Sequence, residues 1–344
     1  MAGCCSACGR SLGKQYIRAE SGRFHPQCFC CARCGQRIQG EYRQQQNRLY
    51  HPRCKAPAAP TALNCAHCGQ AISGSYTRCQ EQAYHDACYA EIAPRCVLCE
   101  QALNGKYLID PWGQCAHPTH AGHKTEQCHA CGRFIGARTT NGGVRFGDGR
   151  TLCGLCQISE VSQPAEIEQL KAEVLAYLHG VGFDYIPRYI AVTLADQRRL
   201  NQRLGVSRHA NSQGLTKTLE KLENSQLVYR EHSIFVLHGL PRLLFCGVLA
   251  HELLHVWLND RGLNQRSDVE VEGFCNLGSA LIFQQDSTPL GAYLLQRLES
   301  DVSPVYGEGY RQMRTRLQRS GWAGVIAHMQ QPPGLLERLG RALF

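Results

Sequence analysis

Between Cys5 and Cys156 one pattern recurs five times, and it dictates what this stretch can fold into. A C-x2-C pair opens each copy: Cys5/Cys8, Cys31/Cys34, Cys65/Cys68, Cys96/Cys99 and Cys128/Cys131. A second pair closes it: His25/Cys28, His51/Cys54, His85/Cys88, His117/His120 and Cys153/Cys156. The stretches between the pairs are 16, 16, 16, 17 and 21 residues long. Thiolates and imidazoles at such spacing are zinc ligands, and four to a site leave no open coordination position. The twenty residues are therefore expected to make five closed, structural Zn2+ sites. In four copies a glycine follows the second cysteine, where the chain must turn through a left-handed conformation. A short strand should follow in the first four copies. An aromatic residue precedes the histidine in the first three (Phe24, Tyr50 and Tyr84) and should pack beneath the metal as a miniature core.

Nineteen of the 21 cysteines lie between Cys4 and Cys156, and only Cys246 and Cys275 lie beyond. The odd count, and a start (MAGCCSACGR) without the marks of a secretion signal, argue against a disulfide framework and for a cytoplasmic protein. Cys4, Cys30, Cys79 and Cys115 fall outside the twenty, and Cys115 is the alternative to His117 as a ligand. His67, His123 and His129 are expected to face solvent. No run of eighteen apolar residues occurs, so no membrane span is expected. The formal charge of +9 overstates the basic character. Fifteen thiolates set against five divalent ions bring it to about +4. Without a stripe of basic and aromatic residues, a nucleic-acid partner is not expected.

In the segment from Cys5 to Cys54 only Phe29 and Cys30 separate the first site from the second. That fusion closely resembles a LIM domain, with His51 where such domains usually carry cysteine. Residues 65–120 look like a divergent LIM domain, whose halves are spaced by YAEIAPR and whose last pair is two histidines. Residues 128–156 read as a lone four-cysteine zinc ribbon. The resemblance implies modules that bind proteins and catalyse nothing themselves. The expected domains are 4–55, 64–121, 127–158 and 160–344. KAPAAPTAL (55–63) reads as a semi-rigid linker between the first two.

From about Ile158 the chemistry changes. Pro164, just after Ser162, starts a helix in which Ile167, Leu170, Val174 and Leu178 recur at helical spacing, and Gly180 stops it. YIAVTLAD (189–196) and HSIFVLHG (232–239) read as strands, the latter as an edge onto which an extended substrate could add, and DQRRLNQRLG (196–205) as a short helix. A further helix begins near Leu240 and Pro241 and runs to about Asn259. It carries CGVLAHELLHVWLND (246–260), in which His251, Glu252 and His255 form H-E-x-x-H. At 3.6 residues per turn, His251 and His255 share one face and can share one metal ion. Glu252 lies about 100° away, suited to act on a water rather than to ligate.

The third ligand should come from DVEVEGFCNLGSALIF (268–283). Glu270 and Glu272 lie about 200° apart on a helix, so only one can face the metal. Glu272 is preferred, because Asn276 follows it on the same face and can orient a ligand histidine by hydrogen bonding. This is the E-x-x-x-D arrangement of gluzincin peptidases, with Asn in place of Asp. Leu258 and Arg261 stand where a metzincin would carry Gly and His, which excludes that class. The expected fold is thus multidomain: LIM and zinc-ribbon modules with short hairpins, then an α+β, mostly helical, gluzincin-like metallopeptidase domain.

GLPRLLFCGVLAHELLHVWL, EGFCN and ESDVSPVYGEGYR (299–311) closely resemble the plant LIM-domain peptidases that limit organ growth and are activated by ubiquitin. The resemblance implies a zinc metallopeptidase making limited cleavages in protein substrates. It has one catalytic Zn2+ on His251, His255 and Glu272, and Glu252 as general base. Tyr306 in SPVYG is the first candidate for the donor to the oxyanion, with Tyr310 and His328 behind it. Cys246 and Cys275 read as core residues. Partners should be protein substrates and protein regulators. Ubiquitin enters by resemblance alone, since no acidic, Ala- and Ser-containing ubiquitin-interacting helix stands in the sequence. The competing classes are a LIM-type interaction scaffold whose peptidase domain no longer cleaves, and a zinc-ribbon nucleic-acid binder.

Overall fold

A left-handed turn after the second cysteine shapes every zinc unit. In the computed structural model, which describes residues 3–20, 22–45, 48–54, 63–204 and 212–331, Gly9, Gly35, Gly69 and Gly132 have φ of 70°, 71°, 74° and 74°. Glu100 occupies the equivalent place at φ 62°, so the fourth unit makes the turn without glycine.

The chain divides into two compact units, Met1–Ile92 and Ala93–Phe344. The division falls within the 64–121 segment. The linker read at 55–63 lies, but for its last residue, outside the described residues. In the first unit, three antiparallel hairpins follow the C-x2-C turns: β1 (Ile17–Ala19) with β2 (Gly22–Phe24), β3 (Arg43–Gln45) with β4 (Arg48–Tyr50), and β5 (Tyr76–Cys79) with β6 (Gln82–His85). Helix α1 (Asp86–Ile92) closes this unit. Phe24, Phe29, Leu49 and Tyr50 are buried with Cys5 and Cys31 in one small core. Phe29 is a spacer residue between the first two sites, and its ring meets Phe24 at 5.3 Å and Tyr42 at 5.4 Å. Two metal units without separate cores are thereby welded through one aromatic cluster. Tyr84 is only half-buried and leans on Tyr89.

The second unit begins with small hairpins: β7 (Leu108–Ile109) with β8 (Cys115–Ala116), β9 (Thr119–His120) with β10 (His123–Lys124), and β11 (Gly143–Arg145) with β12 (Thr151–Cys153). Short helices α2 (Ala137–Thr140) and α3 (Gly154–Gln157) flank the last of these. A mixed helix–sheet region follows. It contains α4 (Pro164–Gly180), β13 (Ala191–Ala195), α5 (Gln197–Leu204), β14 (Gly214–Glu223), β15 (Gln226–Leu237), α6 (Arg242–Asp260), α7 (Asp268–Gln284), α8 (Pro289–Ser300) and α9 (Tyr306–Gln330). Among the described residues, no helix is long and apolar enough to cross a membrane.

The sheet order is β13-β15-β14, with β13 parallel and β14 antiparallel to β15. The segment 232–239, expected to offer a free edge, lies mostly in β15 and is hydrogen-bonded on both sides. Among the described residues the outer strands are β13 and β14, and β14 is one that the sequence pattern does not announce. Asn224 and Ser225, at φ 51° and 63°, make the tight primed turn that a two-residue hairpin requires.

The four-cysteine ribbon is not a free module. Cys128, Cys131, Leu152, Cys153 and Cys156 share one hydrophobic core with Leu170, Ile234, Leu253 and Phe274. Backbone carbonyls of the ribbon are capped from outside it: Trp112 Nε1 donates to Cys131 O at 2.7 Å, and Arg297 Nη1 to Ala130 O at 3.2 Å. Arg150 joins the ribbon to the sheet. It chelates Asp148, donates to His238 O at 3.0 Å, and lies 3.1 Å from His129 Nε2. His129, expected in solvent, is held in this network because its Nδ1 donates to Thr151 O.

Helices α7 and α9 cross at a point where no side chain fits. A Cβ at Gly273 would stand 2.2 Å from Gly309 O, and one at Gly309 the same distance from Val269 O. Backbone faces backbone, so neither neighbour can yield by changing rotamer. Gly309→Val is expected to lower stability by about 3 kcal/mol through overpacking, read as a lower denaturant midpoint at unchanged slope.

Candidate metal centre and its surroundings

Five tetrads of ligand types stand in the structure: Cys5/Cys8/His25/Cys28, Cys31/Cys34/His51/Cys54, Cys65/Cys68/His85/Cys88, Cys96/Cys99/His117/His120 and Cys128/Cys131/Cys153/Cys156. In each, the ligand atoms lie within 4.8 Å of one another. His117, not Cys115, completes the fourth. Cys8 Sγ is 3.4 Å from His25 Nδ1, and Cys131 Sγ is 3.7 Å from Cys153 Sγ. Zn–S bonds of about 2.3 Å put tetrahedral sulfurs about 3.8 Å apart, so the spacing fits zinc.

The tautomers are set locally. His25, His51 and His85 hydrogen-bond through Nε2 to the carbonyls of Ser11, Arg37 and Ala71, which leaves Nδ1 turned to the thiols. His120 reverses this: its Nδ1 pairs with Thr125 Oγ1, and its Nε2 faces Cys96. Burial alone would raise the thiol pKa of Cys5, Cys31, Cys65 and Cys96. Backbone N–H groups of the turn and of the facing histidine (His25, His51, His85 or His117) donate to each sulfur and bring it down to about 6. The four-cysteine group is buried throughout. Without a cation its thiols divide: hydrogen bonds from Cys131 and the other two thiols push Cys128 far down, while Cys156 is driven far up. Four buried thiolates need a cation to coexist.

A different cluster forms where α6 and α7 lie side by side. His251 Nε2 and His255 Nε2 are 3.1 Å apart, and Glu272 Oε2 stands 3.2 Å from the first and 3.6 Å from the second. Burial would raise the pKa of Glu272, but the His251 and His255 rings set against its carboxylate hold it well below the usual carboxylate range. Glu270 points elsewhere. Arg266 Nη1 approaches it at 3.3 Å and His328 Nε2 at 2.9 Å, and Arg266 also caps His328 O and Gln331 O at the end of α9. Asn276 sits between the cluster and α9. Its Oδ1 accepts from His251 Nδ1 at 3.0 Å, and its Nδ2 donates to Tyr306 O at 3.2 Å. Because Oδ1 can only accept, His251 keeps its proton on Nδ1 and presents a lone pair on Nε2.

Glu252 is 5% exposed and follows His251 on α6. Thr216 Oγ1, on β14, lies 2.7 Å from Glu252 Oε2 and 3.0 Å from Glu252 O. A Cβ at Gly214 would stand 2.4 Å from Glu252 Oε1. Neither β14 residue stands out in the sequence, where GLTKTLEKLE carries no motif.

Tyr306 begins α9 and is 45% exposed, so its ring can meet a molecule from solvent. Partial burial and the carboxylates of Glu272 and Glu252 raise its pKa, which keeps the phenol a donor at neutral pH. Tyr310 is buried in the core, with Glu299 and Arg314 as its charged neighbours, and His328 is engaged with Glu270. Cys246 and Cys275 are buried, and burial pushes their thiols up to about 12 and about 11. They are poor nucleophiles.

Residues 182–285, which contain all of His251, Glu252, His255 and Glu272, match the family model DA1-like, Protein DA1. Residues 5–56 match the LIM domain model. Protein DA1 of Arabidopsis thaliana is 25% identical over 281 residues, covering 65% of this chain and 52% of its own. LIM domain-containing protein HDR3 of Oryza sativa subsp. japonica is 25% identical over 294 residues, covering 67% of this chain and 58% of its own. Protein DA1-related 1 of Arabidopsis thaliana is 26% identical over 286 residues, covering 65% and 51%. The chain thus spans little more than half the length of these relatives. Taken with the tetrads and the α6–α7 cluster, these matches show that the chain carries a DA1-like family domain preceded by an N-terminal LIM domain.

Proposed function

We propose that this chain is a zinc-dependent endopeptidase that makes limited cleavages in protein substrates, its LIM-type modules serving partner binding or regulation. The observation that carries this reading is the triangle of His251, His255 and Glu272 donor atoms, with sides of 3.1, 3.2 and 3.6 Å, next to the Glu252 carboxylate. Zinc bonds to N and O of about 2.0–2.1 Å require tetrahedral edges of about 3.3–3.4 Å. Three such ligands leave a fourth position open, as in a catalytic and gluzincin-like site, whereas the five tetrads leave none. Bound there, zinc supplies a Lewis acid and a water of lowered pKa.

The residues of the chain supply the rest. Asn276 fixes the His251 ring. Glu252 takes a proton from water and returns it to the leaving amine. The Tyr306 hydroxyl donates to the oxyanion. An extended substrate segment adds to the open edge of β14, whose first residues lie against Glu252. Ubiquitin or another protein as activator is part of this proposal, resting on the family resemblance.

The test is His255→Ala with unfolded, fluorescein-labelled casein as substrate. Wild type should bind six zinc ions and cleave, and the variant should bind five and not cleave. Wild type that holds no metal between α6 and α7 by anomalous scattering would remove the basis of the reading.

A further inference from the structure

We propose that Thr216 is a positioning residue: its hydroxyl, with the empty space at Gly214, fixes the carboxylate of Glu252 in the place from which it acts. This rests on the peptidase reading of Glu252.

Three observations converge on β14. Glu252 is 5% exposed, so its carboxylate needs a partner from the protein. The hydroxyl of Thr216 is that partner, at 2.7 Å from Oε2, and it reaches across from a different element. The other oxygen is confined by Gly214, where a Cβ would meet Oε1 at 2.4 Å, the Glu252 Cγ at 2.8 Å and Val248 Cγ1 at 2.8 Å. One residue draws the carboxylate in, and the other leaves room for it.

The geometry offers more than a single hydrogen bond. Thr216 Oγ1 has one hydrogen and two acceptors in reach, Glu252 Oε2 and Glu252 O at 3.0 Å. Both acceptors belong to Glu252, so the hydroxyl holds the side chain against its own stretch of α6 and restricts where the carboxyl can lie.

Three variants test the idea: Thr216→Val removes the hydroxyl at nearly constant shape, Thr216→Ser keeps it, and Gly214→Ala fills the space. Cleavage of unfolded, fluorescein-labelled casein should lose about 10- to 100-fold in kcat in Thr216→Val, the scale of a lost hydrogen bond to a charged group. Zinc content should stay at that of wild type, because the hydroxyl of Thr216 goes to Glu252 and to none of the three ligands. Thr216 lies on the substrate edge itself, so Thr216→Ser is the control for any change in KM. Thr216→Ser should keep kcat within about threefold, and Gly214→Ala should fall with Thr216→Val. The second readout is the crystal structure of metal-free Thr216→Val, in which the Glu252 carboxylate should have left its wild-type place. A carboxylate that has not moved, a wild-type kcat in Thr216→Val, or equal loss in the Ser and Val variants overturns the proposal. Wild type inert on casein, or Glu252→Gln as active as wild type, instead overturns the peptidase reading. The crystal structure then still decides whether Thr216 holds Glu252.

Discussion

Cys153→Ser should abolish the cooperative unfolding transition of residues 93–344, whereas Cys8→Ser should leave that transition where it is in wild type. Both cysteines belong to closed four-ligand tetrads, and the larger difference lies in what surrounds them. Cys8 is exposed, and its tetrad belongs to the small aromatic core around Phe24 and Phe29. Cys153 is fully buried and shares a core with the sheet and with α4, α6 and α7. Structural zinc contributes about 10–16 kcal/mol in small domains, where binding and folding are one event. A folded domain holds only about 5–15 kcal/mol in reserve. Loss of one ligand need not forfeit all the binding energy to exceed that margin. The three buried thiols that remain would also be left to share their charge without a cation. Circular dichroism melts and limited proteolysis of the full chain read the outcome. A resistant 93–344 fragment in Cys153→Ser would show that the ribbon is an appendage.

What can be read from the sequence and what cannot divides along contact distance. The tetrads are legible because a metal site of this kind is local: each is built from two short pairs joined by a hairpin, and ligand type and spacing carry its geometry. The α6 and α7 residues are legible for a similar reason. Helical angles place His251 and His255 on one face, and they separate Glu270 from Glu272. The structure accordingly puts Glu272 beside the imidazoles and Glu270 on Arg266 and His328. Strand β14 is illegible because Lys217, Glu220, Lys221 and Glu223 interrupt any alternation. Its turn, Asn224-Ser225, also lacks the glycine that advertises a hairpin. Its pairing with β15 makes it a strand, and that is a tertiary fact. The place of the ribbon is illegible for a stronger reason. Arg150 reaches His238, and Arg297 reaches Ala130, across 88 and 167 residues. Nothing in C-x2-C spacing distinguishes a tetrad that stands alone from one that anchors a core. Thr216 combines both obstacles, being a common residue on an unrecognised strand whose importance lies in a contact 36 residues away.

Glu252→Gln should keep all six zinc ions and lose about 10²- to 10⁴-fold in kcat on unfolded casein. The substitution is nearly isosteric and spares His251, His255 and Glu272, so metal content should not change. The amide cannot take a proton from water. The surroundings tolerate the change: with the amide nitrogen at the Oε1 position, the new side chain would still accept from Thr216 through its oxygen, and stability should stay within about 1 kcal/mol. Fold, metal and substrate edge therefore all survive, and the rate alone reports on the carboxylate. That separates the enzyme from a scaffold of identical shape. A LIM-type interaction protein that had kept these residues only to hold zinc would show equal, negligible cleavage in wild type and variant. A drop in zinc content with the rate would show that Glu252 is a ligand, which its place about 100° around α6 from His251 argues against. An unchanged rate in a chain that does cleave would move the base to another residue, with Glu272 excluded by its pairing to both imidazoles.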